Sequence, residues 1–387
     1  MGTIIVYRHS PTSKEIIMKR SLLIFIVQLG LLLLFVPAVG AQSGQKQQGG
    51  LLDSVALESQ KEYVSLNEAL KEPEKVYRLN LKSNDLTALP PDIGKLTNVQ
   101  VLNLWNNNLT ILPPEISKLT NLQMLDLSGN SQLNLVTLCS TLASFKKLHL
   151  LNLWNIQMTA LPPDIGNLTS IQTLYLNSNQ LAALPAEIGK LSKVQTLYLR
   201  DNKLTALPVE IGNLGALQTL DLWSNLLTAL PAEIGKLSAI HTLNVSSNQL
   251  ATLPKEIGNL TNLHTVDLTR NRLTVLPMEI GKLTNLKKLY LGGNRLASLP
   301  PEINKLTNLQ LLALSNNPQL NFAAVFASLV ALKKLETLNL AGNQLAQIPA
   351  EISNLTNLKT LILSGNKLSP EELEKVKKML PQCDVQF

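Results

Sequence analysis

The side chains with the most chemical potential in this 387-residue sequence are its histidines and its two cysteines. His149, His241 and His264 recur at one position of a repeated pattern, which predicts that the last two lie on adjacent strands. No carboxylate accompanies them, and two imidazoles alone do not make a metal site. Cys139 and Cys383 are predicted to lie about ten strands, or ~50 Å, apart, which is too far for a disulfide.

The sequence also lacks the common catalytic motifs. The sequence contains no G-x-S-x-G, no H-E-x-x-H and no phosphate-binding loop. Its Ser, Thr and Asp residues recur with the repeat and do not converge on a histidine. The sequence therefore predicts a protein that is not an enzyme and that binds neither a cofactor nor a metal.

The elements that position every side chain come from one repeated unit, L-x-x-L-x-L-x-x-N-x-L-x-x-L-P-x-x-I-x-x-L-x-x. Thirteen copies start at residues 76, 99, 122, 148, 171, 194, 217, 240, 263, 286, 309, 335 and 358. Most copies have 23 residues, and those at 122–147 and 309–334 have 26. Such a constant period is typical of a solenoid, in which each unit packs only against its neighbours.

The unit that starts at 194 shows the physical logic. Alternation along a short strand turns Leu197 and Leu199 inward, so that the third, fifth, seventh and eighth residues of each unit face solvent. The amide of Asn202 can pair backbone groups that the following turn leaves open. Pro208 fixes φ and has no N–H, so the return path is predicted to be a 3₁₀ or extended segment.

This pattern resembles the leucine-rich repeat family over about four fifths of the chain. The resemblance implies an α/β solenoid, an arc with a parallel concave sheet of about 13 strands, short 3₁₀ or extended convex segments and helical caps. The stretch L-P-x-x-I-G-x-L-T-N-L is similar to bacterial secreted leucine-rich repeat proteins and to the Ras-group scaffold repeat proteins. It implies protein binding through the concave face, without identifying the ligand.

Two departures from the repeat carry predictions of their own. The Asn is kept in twelve of thirteen units, and the exception, Ile156, predicts a local break in the asparagine ladder. The two 26-residue units lack the Pro, and each is predicted to place a helix on the convex face. The apolar spacing that indicates these helices falls at Leu138, Leu142, Phe145, Val325, Leu329 and Leu332.

The domain organisation follows from these boundaries. We expect an N-terminal helical cap at 51–75, the repeat array at 76–368 and a C-terminal cap at 369–387. Ser65 and Ser369 each precede a short helical pattern with Glu three residues later, which is the signature of a capped helix start. A closing strand is expected at 383–387, with no further domain after it.

Residues 1–41 are predicted to be a signal peptide with a misassigned N-terminal extension. A basic start at Met18-Lys19-Arg20 precedes an apolar run and small residues near Ala41. Residues 42–50 form a flexible polar leader. The protein is then exported, whether secreted, periplasmic or on the cell surface, with no stable membrane span. In the alternative, residues 21–41 stay uncleaved and anchor the chain in a membrane.

The candidate binding site is the concave face, where all three Trp take the seventh position and three Tyr the fifth. Exposed aromatic side chains are typical of interface hot spots, although large side chains can also stabilise a sheet by covering neighbouring strands. Charged residues of both signs accompany them, which suits a protein surface better than a polyanion. The predicted partner-binding residues are Trp105, Trp154, Tyr175, Tyr198, Arg200, Asp221, Trp223, Asp267, Arg270 and Tyr290.

The sequence therefore predicts a protein-binding module, an exported adaptor or adhesin-like protein with an unidentified protein partner. A glycan or cell-wall ligand is the alternative partner, because sugar rings stack on aromatic side chains. A cytoplasmic scaffold of the Ras-group repeat type is a third hypothesis. The formal charge of +7 falls to +4 without residues 1–41, and the remaining charges are scattered without a run of Lys or Arg, which excludes a nucleic-acid footprint.

Overall fold

A computed structural model describes residues 51–387, apart from the side chains of residues 135 and 136. The predicted signal peptide, the predicted leader and the candidate membrane segment lie outside the described residues. The chain divides into two units, the first ending at Gln60 and the second spanning Lys61–Phe387. Of the first unit, the described part holds helix α1, Ser54–Glu58, where the Asp53 carboxylate accepts a hydrogen bond from the backbone N–H of Ala56 at 2.8 Å.

The second unit is built on one parallel sheet, in which each strand pairs with the next in chain order. In residues 61–387 there are fifteen strands against the thirteen expected, because one precedes the first repeat and the predicted closing strand follows the last. The strands are β1 Glu62–Tyr63, β2 Arg78–Asn80, β3 Val101–Asn103, β4 Met124–Asp126, β5 Leu150–Asn152, β6 Thr173–Tyr175, β7 Thr196–Tyr198, β8 Thr219–Asp221, β9 Thr242–Asn244, β10 Thr265–Asp267, β11 Lys288–Tyr290, β12 Leu311–Ala313, β13 Thr337–Asn339, β14 Thr360–Ile362 and β15 Asp384–Gln386.

The return path of each 23-residue unit is a short 3₁₀ helix introduced by proline, as the sequence predicted. Pro208, with φ −67° and ψ 152°, is extended and leads into the helix Val209–Asn213. The 3₁₀ helices are Pro73–Lys75, Pro91–Lys95, Pro114–Lys118, Pro163–Asn167, Ala186–Lys190, Val209–Asn213, Ala232–Lys236, Lys255–Asn259, Met278–Lys282, Pro301–Lys305 and Ala350–Asn354.

The α-helices of the second unit lie where the repeat is interrupted or ends. They are α2 Leu66–Ala69, α3 Leu135–Leu142, α4 Phe322–Leu329 and α5 Pro370–Met379. α3 and α4 confirm the helices predicted for the two long units. Ser65 and Ser369 cap α2 and α5, because their hydroxyls accept hydrogen bonds from backbone N–H groups three residues later. Among residues 51–387, none of the helices has the length and apolar character needed to cross a bilayer.

The core is a continuous apolar column between the sheet and the return segments. In the unit that starts at 194, Leu197, Leu199, Leu204, Ile211 and Leu214 are all fully buried. Equivalent residues of successive units contact one another along the array, so that the core extends from Tyr63 to Leu380. Because side chains of similar size recur in each unit, adjacent units stack in one register and present the opposite sheet face in ordered rows.

Buried asparagines connect adjacent units at the turn after each strand. The amide nitrogen of Asn202 donates to the carbonyls of Leu176 in the preceding unit at 2.9 Å and of Leu199 in its own at 3.0 Å. Its oxygen accepts the backbone N–H of Leu181 at 3.0 Å. One side chain thus pairs backbone groups that the turn would otherwise bury without partners.

The asparagine ladder is interrupted at one position inside the array and lacks a bond at its first position. Ile156 is buried and contributes no side-chain hydrogen bond, which confirms the predicted break between the units that start at 122 and 148. The next unit restores the pattern, because the Asn179 oxygen accepts the backbone N–H groups of Ile156 and Met158. Asn84 is exposed at the start of the array, and among the described residues its side chain makes no ladder bond.

A second set of asparagines, at the end of the L-T-N stretch, also bridges units. The amide of Asn98 donates to the carbonyl of Glu74 at 2.7 Å, and that of Asn308 donates to the carbonyl of Thr284 at 2.8 Å. Where a long unit replaces this Asn by Lys147 or Lys334, the ammonium donates to the preceding asparagine oxygen instead. The sequence alone does not single out this set, because the L-T-N stretch recurs as an ordinary part of the repeat.

We predict that Asn202→Ala lowers the free energy of unfolding by about 2–4 kcal/mol, because several buried backbone groups lose their partner at once. Urea denaturation followed by circular dichroism measures the change. The matched control is Asn84→Ala, which removes an exposed Asn at the same repeat position and is expected to change the stability by less than about 0.5 kcal/mol. Equal losses in both variants would contradict a structural role for the ladder.

Candidate functional site: the solvent face of the sheet

The solvent face of the sheet consists of the third, fifth and seventh residues of each unit. Along β7, Leu197 is buried beneath the sheet while Thr196 and Tyr198 are half-buried on its other side. Pairing of equivalent residues, such as Tyr198 with Asp221, places the fifth residues of neighbouring strands directly side by side. Short strands with fixed register therefore turn positions 23 residues apart into rows of neighbouring side chains.

The eighth residue of each unit has a different role from the one expected. All thirteen eighth residues have φ between 51° and 73°, in the left-handed region that favours Gly, Asn, Asp and Ser. These residue types therefore end the strand, and their small side chains are explained by backbone geometry. Arg270, with φ 55°, is the one long side chain in this row, and it is exposed.

The tyrosines at the fifth position do not form a uniformly exposed stripe. The rings of Tyr175 and Tyr198 stack with centroids 4.8 Å apart and planes 13° from parallel. Tyr175 is only 3% exposed, so the expectation of an exposed ring there is wrong. Its neighbour covers one side of the ring, as in the alternative in which large side chains stabilise the sheet. Tyr198 and Tyr290 are half-buried.

The three tryptophans lie on the solvent face at the seventh position, as expected, but each is half-buried and not fully exposed. The Arg200 guanidinium lies 5.1 Å from the centroid of the Trp223 ring, within the range of a cation–π contact. Trp105 lies beside Gly129, where a Cβ atom would approach its ring to 3.5 Å. Trp105, Trp154 and Trp223 are separated by one or more strands, so each has a different set of neighbours on the face.

Carboxylates on the face are held by hydrogen bonds that set their positions. The Asp221 Oδ1 atom accepts the backbone N–H of Trp223 at 3.1 Å and the amide of Asn244 at 3.0 Å. Burial raises the pKa of Asp221, and the bond from Trp223 and the charge of Arg200 oppose that rise. Asp267 Oδ1 accepts the backbone N–H of Thr269 at 2.9 Å.

Asp126 is a site residue of this face that sequence analysis missed. Its Oδ1 accepts from the Ser128 backbone and hydroxyl, and its Oδ2 accepts from the Asn152 amide at 3.1 Å. Desolvation by burial raises the pKa of Asp126 despite these bonds. The row of fifth residues could have revealed it, since Asp126 aligns with Asp221 and Asp267 in the repeat.

Histidines and cysteines do not converge on a reactive centre. The His241 and His264 rings lie side by side, with centroids 5.2 Å apart and a 31° tilt, as their repeat position predicted. Across residues 51–387 there is no group of three or more His, Cys, Asp or Glu arranged to hold a metal ion. Cys139 is buried in α3 and Cys383 is partly exposed near β15, and both are free thiols.

Comparison with protein families places leucine-rich repeats along most of the array. The family model described as "Leucine-rich repeat region" matches residues 186–270 and 234–336. "Leucine rich repeat" matches residues 74–131, and "Leucine Rich repeats (2 copies)" matches residues 333–375. A search of the curated proteins found no match.

Solved structures with the same fold come from bacteria and plants. A leucine-rich repeat protein of Leptospira interrogans is 34% identical, with 85% of this chain and all of that one aligned at a TM-score of 0.60. An internalin (inlF) of Listeria monocytogenes is 25% identical over 82% of this chain and 88% of its own, with a TM-score of 0.69. The plant peptide hormone receptor RGFR1, solved in complex with RGF2, is 29% identical over 81% of this chain and 56% of its own, with a TM-score of 0.57.

The sheet, the proline-led return segments, the asparagine ladder and these relatives define a solenoid of the bacterial leucine-rich repeat type. This chain belongs to the leucine-rich repeat family.

The burial of Cys139 predicts that its thiol reacts slowly in the folded protein. Desolvation by burial raises the pKa of Cys139 from 9.0 to about 11. At pH 8 the thiolate fraction then falls about a hundredfold relative to an unperturbed thiol, so alkylation by iodoacetamide is expected to be slower by about that factor or more. Peptide mapping after timed labelling of native and urea-unfolded protein measures the ratio for each cysteine. Equal rates at Cys139 in the two states would contradict the burial.

Proposed function

We propose that this chain is a non-catalytic protein-binding module, an exported adaptor or adhesin-like protein whose partner lies on the solvent face of the sheet. The observation that supports the proposal is that all three tryptophans lie on this face, outside the core, and that each keeps part of its ring exposed. Packing accounts for Tyr175, whereas Trp105, Trp154 and Trp223 retain exposed surface. Half-exposed Trp and Tyr on a rigid scaffold are the residues that dominate protein interfaces.

The proposed contact residues are those predicted from the sequence, with their roles adjusted to the geometry. Tyr175 supports Tyr198 from the side, and Arg200 is held over Trp223. Of the others, Arg270 is exposed and the rest are half-buried. The set is Trp105, Trp154, Tyr175, Tyr198, Arg200, Asp221, Trp223, Asp267, Arg270 and Tyr290.

Rigidity of the face favours binding without large rearrangement. Hydrogen bonds between units fix each strand, and carboxylates such as Asp221 are already oriented by backbone N–H groups. A partner therefore does not have to order these carboxylates, and less conformational entropy is lost on association. Neighbouring structures support the same use of the fold, since RGFR1 was solved in complex with RGF2.

Export is the second part of the proposal. The basic start and apolar run within residues 18–41 support it. Fractionation of the source cells, with protease treatment of intact cells and assay of the medium, tests it. Recovery of the protein only from the cytoplasm would contradict export and favour the Ras-group type of scaffold.

We predict that the triple variant Trp105→Ala, Trp154→Ala, Trp223→Ala loses at least 90% of the partner protein retained by residues 42–387 from host or self extracts, because each ring contributes desolvated contact area. Quantitative mass spectrometry of the captured proteins measures the retention. The matched control is Val209→Ala, Met278→Ala, which truncates exposed apolar side chains on the return segments and is expected to retain the partner.

Thermal unfolding of both variants must show that they remain folded at the temperature of capture. Retention by the tryptophan variant but not by the control would move the interface to the return segments and contradict the proposal. Loss of capture on addition of a soluble glycan, but not on protease treatment of the extract, would favour the glycan alternative.

A further inference from the structure

The backbone N–H of the seventh residue is paired by a side chain on the solvent face in most units. In eight units the fifth residue is Asn or Asp, and its side-chain oxygen accepts this N–H, as Asp267 accepts that of Thr269 at 2.9 Å. Where the fifth residue is Tyr198, the N–H of Arg200 donates to Asn177 of the preceding unit at 3.0 Å instead. Pairing of this N–H therefore depends on a polar side chain at one of two positions.

Neither kind of bond is made in two adjacent units, those that start at 286 and 309. Their fifth residues, Tyr290 and Ala313, are neither Asn nor Asp, and their seventh residues are Gly292 and Ser315. Gly292 also lacks a side chain that could accept the N–H of Ser315 from the preceding unit. Within residues 51–387 neither N–H donates to a protein acceptor. Because Gly292 is buried, an unpaired donor there is costly.

The same two units leave a recess on the solvent face beside these donors. Gly292 and Gly293 carry no side chains, and the Ser315 hydroxyl lies 2.6 Å from the place that a Cβ atom on Gly292 would take. β11 and β12 pair in register, which places the two N–H groups about 4.8 Å apart. Two backbone donors and one hydroxyl therefore lie within reach of a single small acceptor group.

Arg270 lies at the edge of this recess. Its Cγ atom is 3.3 Å from the place that a Cβ atom on Gly293 would take, so its aliphatic stem packs against the glycine backbone. Arg270 has the left-handed φ of the eighth residues, which favours Gly, Asn, Asp and Ser. In the part of the chain that the structure describes, it forms no ion pair within 4.0 Å. Backbone geometry therefore does not explain an arginine at this position.

Charges around the recess favour an anion. In the four units that start at 286, 309, 335 and 358, the third, fifth and seventh residues include one charged side chain, that of Lys288. Arg272 and Arg295, at the tenth position of the units that start at 263 and 286, are exposed. The acidic residue on the adjacent strand β10 is Asp267, whose carboxylate already accepts the N–H of Thr269. Positive charge is therefore in excess, and it attracts an anion.

We propose that this recess binds one carboxylate of the partner polypeptide, from an Asp or Glu side chain. Its oxygens accept the N–H groups of Gly292 and Ser315, and the Arg270 guanidinium neutralises its charge. The inference rests on the proposed function, because it names the chemistry of the partner at one site of the same face. A carboxylate fits because each of its two oxygens can accept one of the two N–H groups, and one arginine matches a single negative charge.

The test uses the predicted mature chain, residues 42–387, and capped pentapeptides with the sequence Gly-Gly-X-Gly-Gly, where X is Glu or Gln, at constant ionic strength. Backbone amide resonances of Gly292 and Ser315 report directly on the two donors. We expect the Glu peptide to move both resonances downfield and to bind about fivefold more tightly than the Gln peptide or better, because hydrogen bonds to an ionised acceptor are stronger.

Two variants remove one part of the site each. Ala313→Asn supplies the missing acceptor to the N–H of Ser315, as Asn339 does for Ala341 at 3.0 Å, and is expected to weaken binding of the Glu peptide about threefold or more. Arg270→Asn suits the left-handed φ and therefore keeps the fold. It is expected to bind the Glu peptide no better than the Gln peptide.

The matched control is Ile362→Asn. It supplies the same acceptor to the N–H of Ser364, which is also unpaired among the described residues but lies two units beyond the recess. We expect its binding of the Glu peptide to stay within about twofold of the parent. Thermal unfolding of the three variants checks that they remain folded, and Arg270→Asn alone tests the inference if Ala313→Asn does not fold.

Equal binding of the Glu and Gln peptides, or equal losses in Ala313→Asn and Ile362→Asn, would overturn the inference. Tighter binding of inorganic phosphate than of the Glu peptide would overturn the choice of a carboxylate. These outcomes are distinguishable from failure of the proposed function. A partner that is lost by the tryptophan variant but retained by Arg270→Asn and by Ala313→Asn leaves the binding face in place and excludes the carboxylate contact.

Discussion

The structure depends on pairing the backbone groups that a very short strand leaves buried. Strands of three residues supply few hydrogen bonds of their own, and the chain then turns inside a continuous apolar core, where an unpaired carbonyl or N–H group is costly. Asn202 and its equivalents meet this constraint by bonding two units at once. Because the amide can do so only when neighbouring units are in register, the ladder also fixes the rows on the opposite face of the sheet.

Repetition explains why so much of the fold follows from the sequence. Each unit contributes the same evidence for a strand, a turn and a return segment, so that an error in one copy is corrected by the others. The helices of the long units were also predictable, because loss of the proline coincides with helical spacing at Leu138 and Leu142. The additional strand β1 was not, since two residues before the first repeat carry no periodicity.

The solvent face was less predictable, because the exposure and the hydrogen bonds of its side chains depend on residues of the adjacent strands, 23 residues away in the sequence. Tyr175 has the same repeat position as Tyr198 but is covered, and only the stacked geometry reveals this. The eighth residues were expected to be surface contacts, and their left-handed φ shows a backbone requirement instead. Asp126 and Asp221 occupy equivalent positions, yet the hydrogen-bond partners on the adjacent strand give them different roles.

The ladder break at Ile156 lies at the same junction of units as the hydrogen-bonded Asp126 on the solvent face of the sheet. Between the units that start at 122 and 148, the ladder side chain is apolar, and on the other side of the same junction Asn152 donates to Asp126 at 3.1 Å. A side-chain bridge across β4 and β5 thus stands where the ladder bridge is missing. Polar residues there are committed to the sheet, which leaves few acceptors for a partner. Across β8 and β9, where the ladder is complete, Asn244 forms the same bridge to Asp221, but it donates to Oδ1, the oxygen that already accepts the backbone N–H of Trp223. The oxygen that the cross-strand amide uses, and not the ladder, therefore decides whether a carboxylate on this face keeps a free acceptor.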